Sequence, residues 1–497
     1  MSIKNFAYAL VLYKIVNYRK FLFLFFNQKV KLCLFWMYSL TSSGKKLIEE
    51  KKTKSINDIK KIIFSKNWDN KFDILPENSY DSNKIINLIN KRESTLNKKI
   101  SGGIYLEDEK CKKLMKLACS KYLLSNPLHP DLFPELTRME AEIIKMIGGL
   151  FKLPDNGSGT LTTGGTESTI LALKAYRDYF KKNNYYIGRP EILTTNTVHA
   201  AVNKAAELLE MNIKYCDLDE NYKIDVLKLK SYISRNTCVI VLSTPCFSYG
   251  IVDPVKDVCE IAKKNNIPVH VDACLGGFIV PFTKHKIDFS MNISSISIDP
   301  HKFGYAPKGS SVLLWRSKVI KKHQYFVVDN WNGGIYATPS LPGSRSGMAI
   351  VGTWSSLLYH GYTKYKSIAE DIVDKTIYLR NKINKIDGMY VIGEPDINVV
   401  AFNSDKYPIG EIHNRLSEKK WNLNLLQNPL AIHICITPVN INQIDNLIID
   451  IKEVISKEFT NKTEGIAAIY GMASAIPDKS IIKDIVHEYL HLTTELY

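Results

Sequence analysis

The sequence lacks the features that define several large classes of protein. Its nine cysteines are dispersed, with no Cys-x-x-Cys pair and no dense framework, which argues against a structural zinc site and a disulfide-linked secreted scaffold. No internal repeat and no long low-complexity tract occurs in its 497 residues. No nucleic-acid motif accompanies the formal net charge of +16, and the lysines are scattered rather than arranged in a stripe. The charge therefore indicates a lysine-rich, solvated surface that attracts anionic substrates or lipid, and we expect no nucleic-acid partner.

A long uncharged apolar run is also missing near the amino terminus. Residues 6–40 are rich in Phe, Leu, Tyr and Val, but basic residues interrupt them before about 18 apolar residues accumulate. No small-residue cleavage site indicates a signal peptide. Two interpretations fit, an interfacial amphipathic anchor and a poorly ordered leader. If residues 20–40 do insert, the lysine cluster at 45–54 would hold the rest of the chain in the cytosol.

Short β-like runs alternate with longer helical patterns from residue 158 to about residue 320. The clearest runs are 191–194, 239–242, 267–271 and 310–315. This alternation is typical of an α/β domain with a largely parallel sheet. The carboxyl-terminal part mixes helical stretches with strands such as 432–436, which predicts a smaller α+β domain.

Two of the alternating runs end in residues with distinctive chemistry. The first is 269–272, which ends in Asp272, and the second is 295–298, which is followed by Asp299-Pro300-His301-Lys302. A carboxylate and an amine at neighbouring strand ends suit pyridoxal 5'-phosphate (PLP), because lysine forms a Schiff base with its aldehyde and aspartate pairs with its ring nitrogen. The plain alternative is a loop-capping aspartate and a surface lysine. The apolar run before Asp272 and the β-run before Lys302 favour the cofactor site.

A glycine-rich stretch at 157–168 is the candidate anion-binding loop. A short strand runs into Gly164-Gly165, and an apolar helical pattern begins at Ile170. Glycine lets backbone N–H groups approach a phosphate closely, and the helix end adds favourable partial charge. Thr166 can cap that helix or bind the phosphate through its hydroxyl. The loop matches neither a Walker loop nor Gly-x-Gly-x-x-Gly, so a plain glycine turn with a threonine cap stays an alternative.

Longer motifs resemble one family. They lie at 125–131, 163–168, 270–278, 299–311, 333–339, 421–427 and 468–472. In their order along the chain and in their residues they closely resemble the sphingosine-1-phosphate lyase family, over roughly residues 100–475. The resemblance implies the PLP-dependent transferase fold type I, with a mostly parallel seven-stranded sheet, helices on both faces and a smaller carboxyl-terminal α+β domain. It also implies a homodimer with active sites at the subunit interface.

The resemblance assigns a role to each matching position. Lys302 resembles the Schiff-base lysine, Asp272 the partner of the ring nitrogen, and His199 the histidine that stacks on the ring. The cofactor phosphate would lie at Gly165, Thr166 and His301. The substrate phosphate would lie at Asn126, His129 and Lys308. Tyr105 matches a tyrosine near the reacting centre, and no metal is implied.

The implied reaction is a retro-aldol cleavage of a sphingoid base phosphate to phosphoethanolamine and a long-chain aldehyde. The general base stays open between Tyr105, the substrate phosphate and Lys302. The chain departs from the family pattern at Pro300, which is also typical of PLP-dependent amino-acid decarboxylases, and at Cys246 and Tyr249. An amino-acid decarboxylase is therefore the enzymatic alternative. A non-catalytic scaffold with the same fold is the second alternative, although it would have no need of the aspartate, histidine and lysine.

These patterns divide the chain into four expected parts. Residues 1–40 form an apolar and basic segment that could anchor the protein to a membrane. Residues 41–135 form a helical segment that ends in an active-site loop. The PLP-binding domain spans 136–350, and the small domain spans 351–497. The expected location is the endoplasmic reticulum membrane with the catalytic domain in the cytosol, and the alternative is the cytoplasm.

Overall fold

The computed structural model describes residues 41–63, 75–92, 97–186, 188–459 and 480–494. The predicted anchor at 6–40 and the motif at 468–472 lie outside these ranges. Within them, no helix combines the length and the apolar character that crossing a membrane requires. The chain forms two compact units, the larger of which comprises 97–426 and 431–459.

The smaller unit contains three of the described helices. They are α1 (Ser42–Ile63), α2 (Ser82–Arg92) and, from the end of the chain, α13 (Ser480–Leu492). An ion pair joins α1 to α13, with Lys52 Nζ 3.4 Å from Asp484 Oδ2. Because both side chains are partly or fully exposed, this pair contributes little to stability.

The larger unit is built on a central seven-stranded sheet with the strand order β1-β7-β6-β5-β4-β2-β3. All of these strands except β7 run in the same direction. The strands are β1 (Ser158–Thr162), β2 (Glu191–Thr194), β3 (Asn212–Tyr215), β4 (Thr237–Ser243), β5 (Val269–Asp272), β6 (Ser295–Ile298) and β7 (Ser311–Trp315). Every residue of β4, β6 and β7 is buried, as is usual for strands covered on both faces. The predicted fold class is confirmed.

Helices precede and connect these strands. They are α3 (Glu109–Lys121), α4 (Pro134–Leu150), α5 (Gly165–Asn183), α6 (Ala201–Leu208), α7 (Val226–Tyr232), α8 (Val255–Lys264) and α9 (Lys318–Lys321). Helix α5 packs its apolar face on the sheet, where Leu171, Ala175 and Tyr176 join the main core with Trp315. This packing fixes the amino-terminal end of α5 at the edge where the parallel strands end.

A second, antiparallel sheet follows in the same unit. After the hairpin β8 (Phe326–Val328) and β9 (Tyr336–Thr338) comes the long helix α10 (Gly347–Ile383), which is interrupted at Gly361. The sheet itself has the order β10-β11-β13-β12. Its elements are β10 (Met389–Val391), β11 (Val399–Ser404), α11 (Ile409–Glu418), β12 (Asn424–Leu426), β13 (Ala431–Cys435) and α12 (Ile444–Ile455). The four-part domain division stays a prediction.

Candidate active site

A cavity of about 430 Å³ lies at the carboxyl edge of the central sheet. Its walls come from the segments that follow β1, β2, β4, β5 and β6, which is where open α/β sheets bind their ligands. The lining includes the six predicted cofactor residues Gly165, Thr166, His199, Asp272, His301 and Lys302. The fold therefore brings these six residues together.

Asp272 is the last residue of β5 and lies opposite Ser243 on one neighbouring strand and Ser297 on the other. Its Oδ1 accepts a hydrogen bond of 3.0 Å from the backbone N–H of Cys274. Burial raises the pKa of the Asp272 carboxyl, but the His199 imidazole and the hydrogen bonds from Cys274 outweigh burial and hold it below its usual value. Asp272 is therefore an ionised carboxylate in a protected position.

Lys302 lies in a tight turn immediately after β6. Its backbone N–H donates to the carbonyl oxygen of Asp299, and its Nζ lies 3.0 Å from Asp299 Oδ2. His301 Nε2 is 3.5 Å from the same carboxylate oxygen. Burial disfavours the charged amine, yet the carboxylate of Asp299 outweighs burial and the pKa of Lys302 rises above its ordinary value.

The glycine-rich loop forms a close cup at the start of α5. A Cβ on Gly165 would lie 2.7 Å from Cys274 Sγ and 2.9 Å from Asp299 Oδ2, so only glycine fits there without a shift. The helix begins at Gly165, five residues before the expected Ile170, and Gly164 is its N-cap. Thr166 therefore does not cap the helix but lies exposed in its first turn.

These residues fit PLP on observations of the site itself. The cavity volume falls in the range of small-molecule sites, about 300–1,000 Å³. The first N–H groups of a helix have no partner within it and attract an anion, which suits a phosphate at the Gly164-Gly165 cup. Asp299 Oδ1 is buried and has no hydrogen-bond partner within the described ranges, as expected of an atom that faces a ligand.

His199 forms part of the cavity rim after β2. Its Nδ1 accepts a hydrogen bond of 3.1 Å from the backbone N–H of Ala201, which fixes the imidazole ring. The ring of Phe247 stands edge-on to His199 with centroids 6.1 Å apart, and it contacts His433 of β13 at 4.7 Å. The second sheet thus supports the wall that carries His199.

Tyr105 and Lys308 lie together beside the turn that carries Lys302. Lys308 Nζ is 4.8 Å from the centre of the Tyr105 ring and donates to the His301 carbonyl oxygen at 3.4 Å. Burial raises the pKa of the Tyr105 hydroxyl above its ordinary value, so this hydroxyl keeps its proton at neutral pH. Burial and the nearby Lys302 lower the pKa of Lys308.

Lys308 also lines a second cavity of about 290 Å³, together with Thr163 and Arg345. Thr163 lines the first cavity as well, so the two cavities share a wall. The Arg345 guanidinium contacts Glu140 through two hydrogen bonds of 3.0 Å each and donates to the Leu161 carbonyl oxygen at 3.1 Å. The second cavity therefore has cationic side chains in its lining.

Asn126 and His129 lie on the loop between α3 and α4. Neither is among the described residues that line the two cavities. Asn126 Oδ1 accepts from the backbone N–H groups of Leu128 and Arg345, and its Nδ2 donates to Ser344 Oγ at 3.1 Å. Asn126 thus organises the loop before Arg345, while the His129 side chain is exposed.

Three further residues of the site were not singled out from the sequence: Asp299, Glu167 and Phe247. Glu167 Oε2 accepts from the Thr163 backbone and hydroxyl at 2.7 and 2.6 Å, which fixes the strand end before the glycine cup. The position of Asp299, three residues before Lys302, was a usable signal, because such a spacing fits one turn. Phe247 carried no comparable signal.

The fold and these groups define the class of the protein as a PLP-dependent enzyme. Residues 122–405 match the family model of the pyridoxal-dependent decarboxylase conserved domain, which is more than half of the chain. The chain belongs within that class to the sphingosine-1-phosphate lyase family. It is 39% identical over 405 residues to sphingosine-1-phosphate lyase 1 of Rattus norvegicus, covering 79% of this chain and 71% of that protein.

Two further comparisons agree with this family. Sphingosine-1-phosphate lyase of Drosophila melanogaster is 37% identical over 435 residues, covering 84% of this chain and 80% of its own. The solved structure of a sphingosine-1-phosphate lyase of Burkholderia pseudomallei matches with a TM-score of 0.78 and 28% identity, covering 86% and 98% of the two chains. Glutamate decarboxylase of Lactobacillus brevis, at 20% identity, a TM-score of 0.69 and 79% and 97% coverage, shows the shared fold alone.

Proposed function

We propose that the chain cleaves sphingoid base phosphates, such as sphingosine 1-phosphate, to phosphoethanolamine and a long-chain aldehyde. The observation that carries the substrate class is the second cavity, whose lining includes Lys308 and Arg345 and which shares Thr163 with the cofactor cavity. A phosphate on the substrate would find the Lys308 amine there, whereas the charge of Arg345 is already paired with Glu140. A remote phosphate contact also helps to orient the scissile bond, and orientation raises the rate.

PLP, when bound, supplies a ring that accepts the electron pair released as the bond between Cα and Cβ breaks. Asp272 would face the ring nitrogen, where its ionised carboxylate favours a proton. Gly165, Thr166 and His301 would hold the phosphate, and His199 would lie against the ring. These roles are proposals that the cavity lining supports.

Lys302 would hold the cofactor covalently and release it to the substrate amine. In the structure the Lys302 amine lies 3.0 Å from the Asp299 carboxylate, which would favour the protonated form of the free amine. A protonated amine at this place can return a proton to Cα after cleavage. A positioned proton donor or acceptor of this kind contributes roughly 10²–10⁴-fold to rate.

Tyr105 is a poor candidate for the base that removes the proton from the C3 hydroxyl, because burial raises its pKa and keeps it protonated. The substrate phosphate is a better candidate. Lys302 would act as this base only after losing its own proton, which the nearby Asp299 carboxylate opposes. Tyr105 can instead donate a hydrogen bond to the substrate, with Lys308 beside its ring.

The test is to incubate the full chain and PLP with sphingosine 1-phosphate and to measure aldehyde and phosphoethanolamine. Release of carbon dioxide from amino acids is measured in parallel. We expect aldehyde and no carbon dioxide; carbon dioxide without aldehyde would establish the decarboxylase instead. Lys302→Ala should abolish both the visible absorbance of the bound cofactor and the cleavage, whereas Lys318→Ala, an exposed lysine on α9, should change neither.

The assembly is a further part of the proposal: a homodimer with active sites at the subunit interface. Large apolar side chains such as Leu117, Leu124 and Leu132 are 61%, 92% and 66% exposed, and burial against a second subunit would remove such side chains from water. Sedimentation velocity on the active holoenzyme should give the mass of two chains. A fully active monomer would contradict this assembly.

A further inference from the structure

A chain of buried polar groups leads from the core of the sheet to Asp272. The hydroxyl of Tyr176 is 2.5 Å from Ser295 Oγ, which is 2.8 Å from His270 Nδ1. His270 Nε2 is 3.3 Å from Ser297 Oγ, and Ser297 Oγ is 3.5 Å from Asp272 Oδ1. All four residues behind Asp272 have 0% exposure. The carboxylate is thus the outer end of a polar relay.

The relay follows from the register of two neighbouring parallel strands. His270 lies opposite Ser295, and Asp272 lies opposite Ser297. Because side chains alternate along a strand, residues two apart share one face, so both pairs point the same way. Tyr176 on α5 completes the relay from the helix packed against that face. Four polar groups in a sheet core are costly unless each is paired, so this arrangement is unlike ordinary core packing.

The hydrogen bonds can run in one direction only. An ionised carboxylate accepts hydrogen bonds and cannot donate them, so Ser297 must donate to Asp272. Ser297 then accepts from His270 Nε2–H, which leaves His270 Nδ1 to accept from Ser295. Ser295 in turn accepts from the hydroxyl of Tyr176. Burial lowers the pKa of His270 to about 4, so it has the single N–H that this direction requires.

Cys274 contributes to the same end of the relay. Its Sγ lies 3.4 Å from Ser297 Oγ, and its backbone N–H donates to Asp272. A thiol is a weak donor, so it can support Ser297 but cannot replace the imidazole. His270 is therefore the group that sets the direction in which the Ser297 hydroxyl points.

We propose that His270 is a positioning residue that aims the Ser297 hydroxyl at Asp272 and thereby keeps the carboxylate ionised opposite the ring nitrogen of PLP. The inference rests on PLP as the cofactor and not on the identity of the substrate. His270 is not among the described residues that line the cofactor cavity, so its effect would reach the ring through Ser297 and Asp272.

The test compares holoenzyme variants by the NMR chemical shift of the ring nitrogen, using PLP labelled at that nitrogen, in the absence of substrate. His270→Leu should move this shift toward that of an unprotonated ring and weaken PLP binding to the apoenzyme about tenfold, as expected for loss of one hydrogen bond to a charged group. His270→Gln should restore most of both, because its amide N–H can donate to Ser297. A merely structural role for His270 would not give this rescue.

Two more variants keep the proposal testable if His270→Leu is unstable. Ser297→Ala removes one hydroxyl and should give the same shift, and the double variant should add nothing to it. His413→Leu removes another buried histidine, whose Nε2 lies 3.2 Å from the Leu423 carbonyl oxygen, and should lower stability without moving the ring-nitrogen shift. A wild-type shift in both His270→Leu and Ser297→Ala would overturn the proposal. Failure to cleave sphingosine 1-phosphate would leave this outcome unaffected.

Discussion

Two carboxylates at adjacent strand ends divide the work of the site between them. Asp272 follows β5 and takes its hydrogen bonds from Cys274 and the buried relay. Asp299 follows β6, and its Oδ2 lies beside Lys302 and His301. In the proposed reaction, Asp272 would thus favour a proton on the cofactor ring, and Asp299 would favour a proton on the lysine. Residues of the same type acquire different chemistry from their neighbours alone.

Buried histidines also predict how stability depends on pH. Burial lowers the pKa of His433 to about 4, whereas unfolding restores a value near about 6.5. Between these values the unfolded chain binds more protons than the folded chain, so stability falls as the pH is lowered through this window. His433→Asn keeps an N–H for the Ser248 carbonyl oxygen but does not titrate. Its free energy of unfolding should depend less on pH, by up to about 1.4 kcal/mol per pH unit.

The measurement is urea unfolding at several pH values from about 4.5 to about 7. Asp253 contributes the opposite sign, because burial raises its pKa to about 6 and its folded form gains a proton as the pH falls. That contribution is common to the wild type and the variant, and it cancels in their difference. Equal pH slopes for both proteins would show that His433 takes up no proton on unfolding.

At the scale of elements, α10 holds the turn that carries Lys302. The Gly304 carbonyl oxygen accepts hydrogen bonds of 2.8 Å from both Ser356 and Tyr365, which lie on either side of the interruption at Gly361. A continuous helix would place residues nine positions apart too far along its axis to share one acceptor. The interruption therefore lets two parts of α10 donate hydrogen bonds to the same carbonyl oxygen in the turn that carries Lys302.

Gly361 has φ 58° and ψ 178°, a region that is essentially restricted to glycine. Gly361→Ala should destabilise the protein by about 1–3 kcal/mol, although no atom of the described residues lies within 4 Å of the added Cβ. Gly149→Ala is the matched control, because that glycine lies in α4 with equally open surroundings, and there alanine should be neutral or stabilising by up to about 1 kcal/mol. Thermal unfolding of both variants checks this, and equal effects would contradict a backbone origin.

The segment before α10 is tied to α4 by a partly buried ion pair. Arg345 and Glu140 side chains are only 11% and 15% exposed. Arg345→Met leaves the Glu140 carboxylate without its partner and should cost about 3 kcal/mol in urea unfolding. On the same helix, Arg138 pairs with Glu142 and is 80% exposed, so Arg138→Met should cost below about 1 kcal/mol. If both variants lose a similar free energy of unfolding, the buried ion pair stabilises the protein no more than the exposed pair does.

Most elements could be predicted from the sequence, and the exceptions have physical reasons. Strand β4 contains a continuous apolar run from Cys238 to Leu242, so its pattern was visible. β3 was missed because it is a four-residue edge strand in which every residue is exposed or only half-buried. The antiparallel direction of β7 could not be predicted from the hydrophobic pattern of the strand. It follows from the connection between β6 and β7, which carries Lys302 and contains no crossover helix.

At the scale of the whole molecule, the cofactor residues were easier to place than the substrate residues. Parallel strands end at one edge of a sheet, so Asp272 and Lys302 were expected to meet before any contact was known. Arg345 and Glu140 are far apart in sequence and meet only through the packing of the segment before α10 on α4. No local pattern reports such a contact. The assignment of Asn126 and His129 to the substrate phosphate stays a prediction.

The chain has a formal net charge of +16, so both the amino-terminal segment and the lysines elsewhere could attract an anionic membrane. The two contributions can be separated by experiment. We expect residues 6–40 to bind the membrane interface through aromatic side chains and lysines, with the endoplasmic reticulum as the proposed location. Deleting residues 1–40 should leave PLP absorbance and aldehyde release unchanged but abolish co-sedimentation with vesicles containing anionic lipid. If the deletion variant still binds these vesicles and high salt releases it, the scattered lysines of the larger unit are the membrane contact.

Replacing the basic residues within 6–40 by glutamine distinguishes the two contributions within the full chain, because it removes the charge of the segment and keeps its apolar surface. If the deletion variant loses vesicle binding and the glutamine variant keeps it, the apolar surface of residues 6–40 attaches the protein to the membrane.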